Sequence, residues 1–232
     1  MTSFVRARRR IAVLGCLTVH AEAPIPQPGR RLLAFLAVHE TPVTRGQAAG
    51  RLWPDLPEAQ ARTNLRRALW HVPERWIIAM DGELILDATV DLTAARAAAA
   101  RGLRGSELGL REILALSNDL LPSWDEEWLR GFQESFRILR VQGLEAACRT
   151  MAAERQYRYA VLAGSAAVEA DPLCESAVSA LIDAHLGQGN RHAAMLCYRN
   201  LARALEHELG VGPDPQLAAR IAERVPHDVT AP

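Results

Sequence analysis

The dipeptide Asp81-Gly82 lies between two short apolar runs, Trp76-Ile-Ile-Ala-Met80 and Glu83-Leu-Ile-Leu-Asp87, directly behind a helical stretch closed by Pro73. Asp-Gly suits a type I′ turn, whose two central residues both take positive φ, so the flanking runs are expected to pair as a tight antiparallel hairpin. The segments before it narrow the choice further. Pro57 fits the first position of a helix that runs from Glu58 to about Val72. Thr44-Arg-Gly-Gln47 has the residues of a capping box and opens a short helix that stops before Trp53-Pro54. Leu32, Leu33, Phe35 and Leu36 recur at helical spacing within Arg30 to Glu40, and Pro42 ends that run.

Upstream of these, Ile11 to His20 reads as one or two short strands broken at Gly15, and Pro24, Pro26 and Pro28 are expected to keep the chain extended. The order is strands, helix, short helix, loop, longer helix, hairpin. That is the order of a winged helix-turn-helix with a leading sheet, as in OmpR-type effector domains.

From Val90 the pattern is helical almost throughout. Gly102 and Gly105, Ser123-x-x-Glu126 as a capping box, Asp171-Pro172 as N-cap and first position, Gly189-Asn190, and Asp214-Pro215 punctuate it. Tyr157-Arg-Tyr-Ala160 and Asn190-Arg-His-Ala193 open two helices 33 residues apart, close to the tetratricopeptide period of about 34. Ala160, Ala167 and Pro172 fall where that repeat places small residues and its closing proline. Trp128, Phe132, Phe136, Tyr157, Tyr159 and Tyr198 are assigned to the interfaces between stacked helices. The expected fold is therefore mainly α: an α+β winged helix-turn-helix over residues 1–89, an all-α tetratricopeptide-like repeat domain over 90–225, and a tail at 226–232.

Charge separates the two halves. The 27 basic residues balance 27 acidic ones, and every basic residue is Arg. Residues 1–90 carry twelve Arg against eight carboxylates, a balance of +4 that includes the basic run Arg6 to Arg10, and the remainder carries −4. A nucleic-acid partner is thus sought in the first half, where planar guanidiniums suit phosphate and guanine. No apolar run approaches the roughly 20 residues that cross a bilayer, and no secretory leader is evident, so a cytoplasmic, nucleoid-associated location is expected. Cys16, Cys148, Cys174 and Cys197 form no Cys-x-x-Cys pair and read as small apolar core residues.

On a helical wheel of Glu58 to Val72, Ala61, Leu65, Ala68, Leu69 and Val72 share one arc, the expected buried face. The opposite arc carries Gln60, Thr63, Arg66, Arg67 and Trp70, flanked by Asn64 and His71. Arg can chelate guanine O6 and N7, while Asn and Thr read other base edges or bind phosphate. Arg62 borders the apolar arc, so its stem can pack while its guanidinium reaches the DNA backbone. The candidate DNA-binding residues are therefore Arg62, Thr63, Asn64, Arg66, Arg67 and His71. Such arginines can also be a mere solvated face; the capped helix before them and the hairpin after them favour DNA. For Trp70 the choice lies between packing on the wing, stacking on sugar, and core packing, which is preferred.

Trp53-Pro-Asp-Leu-Pro57 is stiffened by two prolines. It would hold Trp53, Asp55 and Leu56 in one pose beside the reading helix; capping of the core by Trp53 and Leu56 is the equal alternative. No catalytic set is present: no phosphate-binding Gly-rich loop, no His-Glu-x-x-His, no Gly-x-Ser-x-Gly. His185, His192 and His207 are scattered, and Asp125, Glu126 and Glu127 are placed to stabilise a helix start. No enzyme, cofactor or metal is expected.

Three stretches of the second half carry a family resemblance. Asp119-Leu-Leu-Pro-Ser-Trp-Asp-Glu-Glu-Trp128, Ala170-Asp-Pro-Leu-Cys-Glu-Ser-Ala177, and Tyr198 with Glu208-Leu-Gly-Val-Gly-Pro-Asp-Pro-Gln216 resemble the Streptomyces antibiotic regulatory protein (SARP) family, which joins an OmpR-like winged helix to a bacterial transcriptional activator domain. Arg30-Arg-Leu-Leu-Ala34, Leu52-Trp53, Ala61-Arg-Thr-Asn-Leu65 and Val90-Asp91-Leu92 match less fully, and Pro73 closes the recognition helix where members continue with basic residues. The resemblance implies an activator that binds direct repeats of double-stranded promoter DNA as self-associating protomers, for instance at biosynthetic gene clusters. It also implies that Trp53, Asp55 and Leu56, with the activator domain, face RNA polymerase or its sigma factor. Without Lys there is no P-loop, so control by ATP is not expected. The rival reading is a helical-repeat adaptor whose winged helix no longer binds DNA.

Overall fold

The computed structural model describes residues 9–21 and 23–224; Arg6 and Arg8 of the basic run and the tail at 226–232 lie outside them. The elements are β1 (Arg10–Ala12), β2 (Thr18–Val19), α1 (Gln27–His39), β3 (Val43–Thr44), α2 (Arg45–Leu52), α3 (Glu58–Trp70), β4 (Ile77–Met80), β5 (Glu83–Leu86), β6 (Thr89–Val90), α4 (Asp91–Leu103), α5 (Leu110–Leu116), α6 (Glu127–Ala153), α7 (Tyr157–Ala170), α8 (Glu175–Gly187), α9 (Arg191–Leu209) and α10 (Pro215–Arg224). They form two compact units: one runs to Ala95 and takes in Asn118–Ser135, the other comprises Arg96–Ser117 and the described chain from Phe136 on.

In the first unit β1 pairs antiparallel with β2 and parallel with β6. The Asp91 carboxylate closes this leading sheet, accepting from the backbone N–H of Val13 at 2.9 Å and of Leu14 at 3.2 Å. Leu14 also bridges Leu120, and Gly15, at φ 79°, donates its N–H to Asp119. α1 begins at Gln27 rather than Arg30, with Pro28 in its first turn instead of extended chain. A proline there costs the helix nothing, because that N–H has no intrahelical partner. Seven apolar side chains from Leu32 to Val38 are buried, so α1 is the core helix of the unit.

The hairpin forms as expected: β4 and β5 flank Asp81 (φ 53°) and Gly82 (φ 81°). Two further strands were not legible. β3 and β6 are two residues each, and β3 adds to the hairpin as β3-β5-β4. Thr44 and Gln47 make the expected reciprocal capping box at the start of α2. α3 ends at Trp70, two residues short of the expected Val72, and His71 caps it.

Ser123 and Glu126 do not cap α6, which starts at Glu127. The Glu126 carboxylate instead takes Arg31 Nε at 2.6 Å and Nη2 at 2.5 Å, and the Trp128 indole N–H at 2.9 Å. Trp128 stands edge-on to Phe35 with centroids 5.1 Å apart, and Phe132 lies 4.7 Å from the His39 ring. Both aromatics therefore pack in the first unit, not between repeat helices. Burial lowers the His39 pKa below its ordinary value, against a hydrogen bond from Nδ1 to the Phe35 carbonyl, and Arg51 lowers it further.

In the second unit α7 packs on α8 and α8 on α9. Small residues set the spacing. A methyl group at Gly143 would lie 2.8 Å from Ala99 Cα, and one at Gly164 would meet Cys148 Sγ at 2.9 Å. Ala160 and Ala167 are buried as the repeat requires. Asn190 caps α9 through the Ala193 N–H, and Asp214 opens α10 by accepting from Gln216. Asp171 caps no helix start: it ends α7, and α8 begins four residues later. Its carboxylate serves Arg137 and the Leu173 N–H. Tyr159 is exposed, not interfacial. Cys148 is buried, with its thiol pushed up to about 12 by desolvation, whereas Cys16 is exposed, contrary to its expected core role. Among the described residues no helix is long and apolar enough to cross a membrane.

Candidate nucleic-acid interface

α3 buries Ala61, Leu65 and Ala68, and Leu69 and Val72 are half-buried. This face packs on α1 and α2. The opposite face is exposed at Arg62, Arg66, Arg67 and Trp70. Arg66 and Arg67 are both exposed. Thr63 is half-buried; its hydroxyl donates to the Ala59 carbonyl at 2.9 Å and accepts from Arg66 Nη2 at 3.0 Å, which sets the direction of that arginine. Arg62 is exposed and pairs with Glu58 one turn earlier at 2.5 Å. Asn64 is half-buried and His71 exposed.

Two hollows organise these residues. The first, about 670 Å³, is lined by Arg62, Thr63 and Arg66 of α3, by Thr44, Arg45 and Gly46 at the start of α2, and by Gly82 of the hairpin turn. The Arg45 N–H donates to the Gly82 carbonyl at 3.0 Å, so the turn is tied to the start of α2. The second, about 370 Å³, is lined by Thr63, Arg66, Arg67, Trp70 and His71. Five of the six sequence candidates line one hollow or the other; Asn64 lines neither. Arg45 and Trp70 were missed. Arg45 had a signal, since it follows the N-cap Thr44 directly. Trp70 had one too, its place on the outward arc of the wheel, but packing in the core was preferred for it, and its 91% exposure overturns that preference.

Trp53, Asp55 and Leu56 are separated by burial. Trp53 is half-buried, with the Arg31 guanidinium 5.7 Å from its ring centroid. Asp55 and Leu56 are exposed in a turn closed by the Leu56 N–H on the Trp53 carbonyl at 3.3 Å. The loop is thus anchored at one end and open at the other.

A capped helix, a second helix with an exposed basic face, and a hairpin whose turn is tied to the start of the first define a winged helix-turn-helix, followed here by stacked helix pairs. The model of the bacterial transcriptional activator domain matches residues 87–223, and the chain belongs to that family. With a winged helix before that domain, it has the architecture of the SARP type of transcriptional activator. Mycobacterium tuberculosis EmbR, solved in complex with a low-affinity phosphopeptide, is similar in fold, with a TM-score of 0.65 and 21% identity over 94% of this chain. The chain spans 65% of that EmbR chain. No curated protein sequence matches it.

Proposed function

We propose that this protein is a sequence-specific activator that reads double-stranded promoter DNA with α3 and recruits RNA polymerase or its sigma factor. The observation that carries the reading is the uncovered face of α3, where Arg66, Arg67 and the Thr63 hydroxyl stand together beside the tethered hairpin turn. A helix of 13 residues is about 20 Å long, enough to lie in a major groove, and the groove admits a helix of this width. Arg62, Asn64 and His71 flank the face, with Arg62 and Arg45 directed to phosphate. Protomers side by side on direct repeats are the binding mode the family suggests. Trp53, Asp55 and Leu56 are the proposed polymerase contact, because an exposed carboxylate repels DNA but suits a protein surface.

The test is a mobility shift on the protein's own upstream region across a salt series. Wild type should lose affinity steeply with salt, because each neutralised phosphate releases counterions. Arg66→Ala with Arg67→Ala should weaken binding by about 1 to 3 kcal/mol per specific contact with unchanged circular dichroism. Wild-type-like affinity of the folded double variant removes α3 from the interface and favours an adaptor, for which the pairing of Arg62 with Glu58 is the supporting observation.

A further inference from the structure

An indole is among the larger apolar groups a chain can bury, yet Trp70 is 91% exposed. The placement is ordered: α3 is helical through Trp70, so helix geometry fixes the direction of the residue. At 3.6 residues per turn Trp70 lies about 40° from Arg66 on one side and about 60° from Arg67 on the other, in line with Thr63 two turns earlier. The four side chains, with His71, surround one hollow of about 370 Å³. An apolar plate set between two permanent cations rejects basic and plainly apolar partners alike. It fits a polyanion that offers an apolar group within reach of its charges. In a major groove that group is the C5-methyl of thymine, set beside edges that guanidiniums can read.

Resting on the reading of α3 given above, we propose that Trp70 is a specificity-determining residue whose indole packs on thymine C5-methyl groups, with Arg66 and Arg67 on either side holding neighbouring guanine edges or phosphates. The operator should then carry thymine at one or two positions next to those the arginines contact, and loss of the methyl should weaken binding there.

The test uses the full chain and the promoter fragment located by footprinting, with thymines replaced one at a time by deoxyuridine, which keeps base pairing and removes only the methyl. Wild type should lose about tenfold in affinity at one or two positions, the low end for a specific base contact. Trp70→Ala should bind the unmodified fragment about tenfold more weakly and be indifferent to deoxyuridine at those positions. Trp70→Phe should keep most of the affinity and the sensitivity. Because the side chain is exposed, far-ultraviolet circular dichroism should not change. Equal sensitivity of wild type and Trp70→Ala to deoxyuridine overturns the proposal, as does an equal loss on every fragment, which would put the indole on sugar. A change in oligomeric state caused by Trp70→Ala alone would overturn it in favour of a second copy of the chain. If the Arg66 and Arg67 double variant loses binding and Trp70→Ala does not, this inference falls and the reading of α3 stands. If neither variant changes binding, or wild type shifts no fragment, the reading of α3 falls first.

Discussion

Removing the Glu126 carboxylate should loosen the first unit far more than a surface charge would. Glu126 accepts three hydrogen bonds, two from the Arg31 fork and one from the Trp128 indole, and both charged side chains are about three-quarters buried, at 24% and 23% exposure. A hydrogen bond to a charged group contributes roughly 1.5–3 kcal/mol, and breaking a fully buried pair costs roughly 3–5 kcal/mol. The residual exposure screens this pair, so a coupling of about 2 kcal/mol between Arg31 and Glu126 is expected. Arg31→Ala alone should cost more than Glu126→Ala, because Arg31 also stands over the Trp53 ring. A double-mutant cycle in urea measures the coupling. Tryptophan fluorescence isolates the unit, since Trp53, Trp70, Trp76, Trp124 and Trp128 all belong to it. A coupling below about 0.5 kcal/mol, the value of an ordinary surface pair, would refute the view that this carboxylate joins residues 118–135 to α1.

Gly143→Ala should lower stability by about 1–2 kcal/mol net, because its methyl would meet backbone that cannot yield while helix propensity returns up to about 1 kcal/mol; Gly131→Ala, in the same helix with open space around it, should raise stability by about 0.5–1 kcal/mol, and thermal melts of the two variants should move in opposite directions. The His39 pKa is lowered in the folded chain, so the unfolded chain binds the proton first and stability falls as pH drops below about 6.5; His39→Gln should flatten part of that fall in urea midpoints taken between pH 7.5 and 5.5, and an unchanged slope would refute it. Asp55→Ala should leave promoter binding nearly unchanged and reduce transcription from a reconstituted promoter, and wild-type transcription would make the loop structural only.

Features decided by neighbouring residues were legible in the sequence, and features decided by distant ones were not. Asp81-Gly82, Thr44 with Gln47, Asn190 and Asp214-Pro215 act through bonds within three residues, and each forms as read. Ser123-x-x-Glu126 has the same local grammar and fails, because the Arg31 guanidinium, 95 residues away in sequence, offers the carboxylate a bidentate partner that an N-cap N–H cannot match. Asp171 fails for the same reason, drawn to Arg137. β3 and β6 are too short for an alternating pattern to register; each exists because β5 or β1 supplies its partner. The wheel of α3 separated its faces correctly at Ala61, Leu65, Ala68, Arg66 and Arg67, but a wheel says which way Trp70 faces and nothing about whether another element covers it.

Net charge is a poor guide to such a surface, since screening limits what one charge feels of another. At physiological salt the Debye length is about 8 Å, so a phosphate seated at α3 responds to Arg45, Arg62, Arg66 and Arg67 around it and hardly to carboxylates elsewhere in the chain. Of the residues lining the two hollows, none is acidic. Glu58 enters only through its pairing with Arg62, and that pair is exposed at both ends, the kind that contributes little and gives way when a phosphate competes for the guanidinium. A chain with 27 positive and 27 negative side chains can therefore present a locally cationic face while staying neutral overall. The consequence is a specific signature: binding to the operator should depend on salt through a small number of phosphates, and affinity for unrelated DNA should be low, because the rest of the surface adds no attraction.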